Sequence, residues 1–341
     1  MSLSEPSPPL PLGKYPFFME ITQEETFHQV KAISALIETF KWRDVILLYE
    51  NYIDYGRDIF PSLINSFQEA NVNIAYKSCI TSSSTNEQII EELLKLKTLK
   101  TTVLLVHTSH YLMPRLFLNA KKLGMMSEGY AWILTSSNMN FLHSKDLSVI
   151  ESSRQGVLGL KSHIPASASL QNLTTRLRRK FYMEDPNIEI RELTAEEIWA
   201  YDATWVLAEA VERARIAQTR QENIELDLLD DLNDIRSSKH GVMLLRQILE
   251  SRFKGLSGET QYINGKLNSC AFEMVNVIGK GQRGVGFWTS AEKYSPDNGR
   301  NLLSTKDLKT IIWPGESTTI VRGSKIQSDG IKALRVGVPA T

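Results

Sequence analysis

The chain has 341 residues, of which 42% are hydrophobic and 23% are charged, a balance typical of folded globular domains and unlike that of disordered chains. Lysine and arginine (39) equal aspartate and glutamate (39) in number, so no net field attracts the chain to nucleic acid, and no nucleic-acid partner is expected. No stretch reaches the roughly 18 to 20 apolar residues that cross a bilayer, so no membrane span is expected.

Residues 1–15 are rich in proline and serine, and this composition predicts an extended, disordered lead-in. They lack the basic n-region and the apolar core that characterise a secretory signal. As written, the sequence therefore predicts neither a signal peptide nor a transmembrane segment in this chain.

From Tyr15 onwards the chain alternates runs of helical spacing with short apolar runs. This alternation is typical of βαβ units and predicts an α/β fold with a mostly parallel sheet. Helices are predicted at residues 24–40, 58–70, 87–97, 112–123, 170–182, 194–214 and 240–251. Strands are predicted at residues 45–49, 72–80, 102–106, 130–134, 156–164, 259–263, 271–278 and 285–288. Residues 218–239 lack a sustained period, which predicts a variable loop with room for one helical turn.

Cys79 and Cys270 are the only cysteines, so neither a disulfide framework nor a cysteine-rich metal site is available. Both lie in apolar, strand-like stretches. Because burial is the common fate of a free cysteine, two buried thiols are predicted in preference to a bridge.

The motif Gly279-Lys-Gly281-Gln-Arg-Gly284 has the GxGxxG spacing of dinucleotide sites and kinase phosphate loops. A dinucleotide site requires a helix directly after the glycines, whereas residues 285–288 are predicted to form a strand. A kinase requires further motifs downstream, and the remaining sequence has none of them. We therefore predict a β-turn in a hairpin, where glycine supplies a positive φ.

His107 and His110 have an HxxH spacing, but at the end of a strand this spacing directs the two rings to opposite faces. No metal site is therefore expected there. The sequence also lacks the GxSxG elbow and the HExxH helix of common hydrolases. Because no nucleophile, base or cofactor loop stands in a recognisable pattern, we predict that the chain is not an enzyme and binds no cofactor.

Polar side chains follow several of the predicted strands: Tyr55 after the first, Ser109 after the third, and Thr135 and Ser136 after the fourth. Doubly wound sheets bind ligands at the carboxyl ends of their strands, so these hydroxyls suit a small polar ligand. Exposed loops are polar in any case, and this alternative stays open on the sequence alone.

Asn172, Leu173 and Thr174 form an acceptor sequon for N-glycosylation. Such triplets also arise by chance, and this one is informative only in a secreted protein. Asn172 is therefore predicted to be a glycosylation site on the condition that the chain reaches an extracellular compartment.

Several segments stand in a characteristic order and spacing along most of the chain. They include AISALIETFKWRDVILLYEN, AKKLGMMSEGYAWILT, GVLGLKSHIP, EEIWAYDATWVLAEAVE, FEMVNVIGKGQRGVGFWT and LKTIIWPGEST. Together they resemble the amino-terminal domain of plant glutamate receptor-like channels, which has the type I periplasmic-binding-protein-like fold, also called the receptor family ligand-binding region. The resemblance implies an α/β fold of two doubly wound parallel-sheet lobes, with the first lobe incomplete.

The resemblance also implies how the chain divides. Family domains carry a signal peptide and further first-lobe strands, so the chain is predicted to be truncated, and the helix at residues 199–211 to expose its apolar stripe. Ser324 stands where the family has tryptophan, so the linker is predicted to be poorly fixed there. The expected division is residues 1–15 as the lead-in, 16–40 and 187–256 as the remnant of lobe 1, 41–186 and 257–290 as lobe 2, 291–333 as a linker, and 334–341 as the start of an absent glutamate-binding core.

For function, the resemblance implies an extracellular ligand-sensing or assembly domain of a ligand-gated cation channel in the plasma membrane. The expected partners are an amino acid or another small polar ligand, and other receptor subunits. The ligand would lie in a cleft between the lobes, with Tyr55, Ser109, Thr135 and Ser136 on one wall and Trp199 on the other. Two alternatives stay open, a non-functional truncated fragment and an α/β enzyme.

Overall fold

The computed structural model of the protein describes residues 25–50, 59–109, 111–136, 139, 153–186, 193–221, 239–263, 266–267, 271–279, 281–289 and 308–325. Its helices are α1 (Glu25–Thr39), α2 (Ile59–Glu69), α3 (Asn86–Thr98), α4 (Leu112–Lys122), α5 (Ala168–Glu184), α6 (Ala195–Gln221) and α7 (Lys239–Glu250). Its strands are β1 (Asp44–Glu50), β2 (Asn73–Ile80), β3 (Val103–His107), β4 (Ala131–Leu134), β5 (Leu158–Ser162), β6 (Arg252–Gly255), β7 (Gly258–Ile263), β8 (Lys266–Leu267), β9 (Ala271–Ile278) and β10 (Gly281–Thr289).

The main sheet has seven strands in the order β10-β9-β5-β4-β3-β1-β2. Strands β1 to β5 pair in parallel. β9 joins β5 in an antiparallel direction, and β10 pairs antiparallel with β9. The parallel sheet predicted for the chain up to β5 is therefore confirmed. The short strands β6, β7 and β8 form a separate antiparallel sheet.

Helices cover both faces of the main sheet, which explains why its central strands are apolar throughout. Successive side chains of a strand point to opposite faces. In β3, Val103 and Leu105 pack in the core with α1 and α2, whereas Leu104 and Val106 pack in the core with α3 and α4. All four side chains are buried, as expected for a strand covered on both sides. This is the predicted α/β fold of the type I periplasmic-binding-protein-like class.

Helix α1 packs on the main sheet, whereas residues 16–40 were predicted to belong to a different lobe from residues 41–186. Ile33 and Ile37 are buried in the same core as Leu47 of β1. The reason is chain order, because α1 leads directly into β1 and lies back along the strand with its apolar stripe against the sheet.

Helices α6 and α7 form a second, smaller core, to which β6 also contributes. Trp199 and Val206 of α6 are buried there together with Ile248 of α7. The other side of α6 is open to solvent, and Trp205 is 52% exposed. The stripe predicted to be exposed along residues 199–211 is therefore covered in part by α7.

Asp202 holds the turn between β6 and β7 against α6. Its buried carboxylate accepts hydrogen bonds from the backbone N–H groups of Leu256 and Ser257, both at 2.8 Å, and from Ser257 Oγ at 2.6 Å. Gly255 is required beside it, because a Cβ at that position would overlap the Asp202 carboxylate. The carboxylate thus satisfies backbone N–H groups that the turn leaves without a partner.

Residues 308–325 cross the amino-terminal edge of the main sheet as a packed segment, here called the strap. Trp313 is buried in the core that includes α1 and α2. The Asn276 side chain of β9 pairs with the strap backbone, since its Oδ1 accepts from the Ile312 N–H and its Nδ2 donates to the Ile312 carbonyl oxygen, both at 2.9 Å. The strap is therefore part of the sheet's core.

The strap ends beside the start of β3. Ser324 forms a β-bridge with Thr101, and Trp42 Nε1 donates a hydrogen bond to the Val321 carbonyl oxygen at 2.7 Å. The predicted linker at residues 291–333 is thus fixed to the sheet over its described part. The expectation that the linker is loose at Ser324 is wrong, because backbone contacts hold the strap without a large side chain there.

β9 and β10 form the hairpin predicted for the glycine-rich motif. Ile278 pairs with Gly281 across the turn, and Gly279 has a φ of 57°, which glycine adopts without strain. Gly284 faces Glu273 on the neighbouring strand, where a Cβ would overlap the Glu273 carboxylate. The motif therefore has a structural reason that requires no phosphate ligand.

Strand β2 lies at the edge of the sheet, and this position corrects the prediction for Cys79. The cysteine is free and exposed, whereas its apolar surroundings predicted a buried thiol. Alternate residues of β2 are exposed along the strand, because the helices that cover the central strands leave one side of the edge strand open. Cys270 lies outside the described residues.

Helix α6 shows the largest difference in length from the prediction. It continues to Gln221, beyond the predicted end at residue 214 and into the segment predicted to be a loop, of which residues 222–238 lie outside the described part. The short strands β6 and β8 were not predicted. None of the described helices combines the length and the apolar character that crossing a membrane requires.

Candidate functional site

The carboxyl ends of β1, β3 and β4 meet at one edge of the main sheet. The strand register places Tyr49 beside His107, and His107 lies within hydrogen-bond distance of Thr135, which follows β4. The amino end of α1 reaches the same edge, since α1 runs against the direction of the strands. We call this region the polar edge, and it is built from Gln29, Glu50, His107, Ser109, Thr135 and Ser136.

His107 and Thr135 form the buried centre of the polar edge. His107 Nδ1 lies 2.9 Å from Thr135 Oγ1, and the ring of Phe60 packs edge-on against the imidazole at 6.0 Å between centroids. Burial lowers the pKa of His107 from 6.5 to about 4, because the charged imidazolium is poorly solvated there. The ring is therefore neutral at pH 7, and its Nδ1 can donate to or accept from the Thr135 hydroxyl.

Glu50 links the end of β1 to the turn after β3. The side chain is 3% exposed, and its Oε2 accepts a hydrogen bond from the Ser109 N–H at 2.6 Å. Ser109 Oγ accepts in turn from the Leu112 N–H at 3.4 Å, at the start of α4. The positive end of the α4 dipole favours a carboxylate here. Glu50 Oε1 has no hydrogen-bond partner among the described residues.

Gln29 connects α1 to the residue that follows β4. Its Nε2 donates a hydrogen bond to Ser136 Oγ, and the glutamine is 4% exposed. The other end of the amide, Oε1, has no hydrogen-bond partner within the described part of the chain. Gln29 therefore holds Ser136 in place while one of its own polar atoms stays unsatisfied.

The structure gathers three of the five residues predicted to bind a ligand. Ser109, Thr135 and Ser136 all lie at the polar edge, and Thr135 and Ser136 are buried there with their hydroxyls hydrogen-bonded to His107 and Gln29. Trp199 does not join them. Its indole is enclosed in the core of α6 and α7, a placement that does not suit the predicted open wall of a cleft. Tyr55 lies outside the described residues.

Sequence reasoning missed three members of the polar edge as candidate site residues. Glu50 carried a usable signal, because it is an acid directly after an apolar strand at the edge where ligands bind. His107 was considered only as half of an HxxH pair, and His110 lies outside the described residues. Gln29 carried no signal, since its partner Ser136 is 107 positions away.

Metal ligands are not gathered in the part of the chain that the structure describes. No group of three or more His, Cys, Asp or Glu side chains is placed there to hold a metal ion. At the polar edge, His107 contacts the Thr135 hydroxyl and the Phe60 ring, and Glu50 accepts a hydrogen bond from the Ser109 N–H. The described chemistry of this edge is therefore that of hydrogen bonding.

Comparison with known protein families finds a match over most of the chain. Residues 2–280 match the model described as the receptor family ligand binding region. The chain belongs to this family. The fold and the resemblance of the quoted segments agree with this result, and the family consists of receptors rather than enzymes.

Plant receptors are similar to nearly the whole chain. Glutamate receptor 2.2 of Arabidopsis thaliana is 39% identical over 99% of this chain, and the match covers 36% of that protein. Glutamate receptor 2.4 of the same organism is 37% identical over 99% of this chain and 37% of its own length. Glutamate receptor 1.2, also from Arabidopsis thaliana, is 38% identical over 100% of this chain, and the match covers 37% of that protein. The resemblance to plant glutamate receptor-like proteins is confirmed, and the chain spans a little over a third of the length of these relatives.

Proposed function

We propose that the chain is a ligand-sensing domain of a glutamate receptor-like, ligand-gated cation channel, and that it binds a small polar ligand such as an amino acid. The observation that carries this proposal is the polar edge, where hydrogen-bonding side chains from α1, β1, β3 and β4 converge. Open α/β sheets bind their ligands at the carboxyl ends of parallel strands. Membership of a receptor ligand-binding family supports the same use of this edge.

Ser109 is the residue that we expect to contact the ligand directly. It is half-buried, whereas Thr135 and Ser136 are buried. Its hydroxyl accepts from the Leu112 N–H and keeps its own proton for donation to a ligand oxygen. Thr135 and Ser136 shape the site from behind, since their hydrogen bonds fix the strand end relative to β3 and α1.

The finer parts of the proposal concern the cellular context of such a receptor domain. We place the domain at the extracellular side of the plasma membrane, where it assembles with other receptor subunits and where closure of two lobes around the ligand is the signal. The names of the relatives support a receptor context. Asn172 is exposed on α5, which suits a glycan on an extracellular domain.

The domain division is also retained as a proposal, with one change. Lobe 2 comprises residues 41–186 and 257–290 together with α1, because α1 shares the core of the main sheet. We assign residues 187–256 to lobe 1, since α6 and α7 form a core of their own.

Calorimetric titration of the full chain tests the proposal. The twenty proteinogenic L-amino acids are first screened by thermal shift, and we expect at least one to raise the melting temperature and to bind with 1:1 stoichiometry. Ser109→Ala should weaken that binding about 10-fold, because one ligand hydrogen bond is lost. Ser127→Ala, an exposed serine before β4, is the control and should bind as the wild type does. Absence of binding by every compound would overturn the proposal.

A further inference from the structure

Glu50 is a buried acid that has no cationic partner among the residues the structure describes. Its Oε2 accepts a hydrogen bond from the Ser109 N–H at 2.6 Å. This bond fixes the orientation of the carboxylate and therefore the position of Oε1. Oε1 has no hydrogen-bond partner among the described residues, and the ion pairs of the described chain join other residues. Buried acids are normally paired with a cation or fully hydrogen-bonded, so this atom requires an explanation.

A second unsatisfied atom lies at the same edge, on a different element. Gln29 of α1 is more than nine-tenths buried, and its Oε1 also has no partner within the described residues. The two observations are independent, because Glu50 contacts the turn after β3 and Gln29 contacts the residue after β4. The Gln29 amide is neutral and has both a donor and an acceptor group, so it does not favour a ligand of either charge. The Glu50 carboxylate is negative and only accepts hydrogen bonds, so it favours a positively charged ligand group.

We infer that Glu50 makes the polar edge selective for a ligand that carries an ammonium group, such as an α-amino acid or another primary amine. An ammonium offers three donors and a positive charge, and it would give the free oxygen of Glu50 both a hydrogen bond and an ion pair. This inference rests on the proposed function, because it names the class of the small polar ligand that the same edge binds.

A divalent metal fits this site less well than an ammonium does. Divalent cations prefer several oxygen ligands, usually with more than one carboxylate. In the described part of the chain, no group of three or more His, Cys, Asp or Glu side chains is placed to hold a metal ion.

The first test compares matched compounds on the unmodified full chain. Each pair differs only by replacement of the amine with a hydroxyl: L-alanine with L-lactate, L-serine with L-glycerate, and L-glutamate with L-2-hydroxyglutarate. We expect the amine of at least one pair to bind at least 10-fold more tightly than its hydroxy acid, as measured by calorimetry. This comparison requires no variant and therefore does not depend on how a substitution affects folding.

The second test replaces Glu50→Gln, which keeps the shape of the side chain and removes its charge. The amine is expected to lose about 10- to 100-fold in affinity, and its preference over the hydroxy acid should disappear. Glu91→Gln is the matched control, because Glu91 lies on α3 with its side chain 71% exposed, and it should retain the wild-type preference. A purely structural role for Glu50 would weaken both members of a pair equally.

The outcomes separate this inference from the proposed function. If no compound binds the wild type, the proposed function fails and the inference fails with it. If hydroxy acids bind as tightly as amines, the edge still binds small polar ligands but the inference is overturned. If amines are preferred and Glu50→Gln keeps that preference, Glu50 is not the residue responsible. Loss of the preference in Glu50→Gln alone supports the inference.

Discussion

Acidification is expected to destabilise the protein through His107. The ring is buried and neutral, and its pKa falls from 6.5 to about 4 because burial penalises the imidazolium. A histidine with a lowered pKa binds fewer protons in the folded state than in the unfolded chain. Its contribution to stability is therefore fully present above pH 6.5 and is lost as the pH falls from 6.5 to about 4.

The size of the effect follows from the two pKa values. The difference between 6.5 and about 4 corresponds to about 3 kcal/mol of unfolding free energy at the acid limit, since each pKa unit is worth about 1.4 kcal/mol. At pH 5 the unfolded ring is mostly protonated while the folded ring is still mostly neutral. About 2 kcal/mol of stability should therefore be lost between pH 7 and pH 5, a large part of what a domain typically has.

Urea unfolding, followed by tryptophan fluorescence at pH 7 and pH 5, measures this loss in the wild type and in His107→Asn. Asparagine does not titrate in this range, so the variant should lose about 2 kcal/mol less than the wild type on acidification. Other histidines and carboxylates titrate in both proteins and cancel in the comparison. Thr135→Val, which removes the hydrogen bond but keeps the ring, should retain the acid-dependent loss. Equal losses in the wild type and His107→Asn would refute the reasoning.

Three further predictions address the fold. Asp202→Asn should lower the unfolding free energy by about 3 kcal/mol, because its amide cannot accept all three hydrogen bonds. Ser257→Ala, which removes one of these hydrogen bonds, should lower it by about 1 kcal/mol. Equal losses for the two variants in urea unfolding would contradict the role of the carboxylate. Gly156→Ala should cost about 3 kcal/mol, since its Cβ would overlap the strap backbone. Gly124→Ala, which has a similar φ but open space around it, should cost about 1 kcal/mol, and a smaller cost at Gly156 would count against the tight contact. Cys79 should react with a thiol reagent in the native protein, as located by peptide mass spectrometry, and protection of this thiol would contradict its position on an open strand.

Hydrophobic periodicity was sufficient to predict most helices and strands of the fold. β1 was predicted at residues 45–49 and β3 at residues 102–106, each within one residue of the observed bounds. Both strands are apolar runs that helices cover on both faces, so their signal is strong and local. The parallel order of the sheet followed from the alternation of such runs with helices.

The surroundings of single residues were harder to predict. Cys79 lies in a run that resembles a covered strand, but the strand is at the sheet's edge. Ser324 lies in a segment without helical or strand periodicity, yet the strap is held by contacts with Trp42 and Thr101. In both cases the local sequence pattern indicates the secondary structure of the segment. It carries no information about which other parts of the fold pack against that segment.

The sequence by itself determined the type and order of the elements, and therefore which strand ends carry Ser109, Thr135 and Ser136, because these depend on the spacing of apolar residues along short segments. Only the tertiary structure decided that Glu50 and Gln29 complete the polar edge. Their hydrogen bonds join residues 59 and 107 positions apart, and such distances are set by how helices and strands pack, which no local property of the chain encodes.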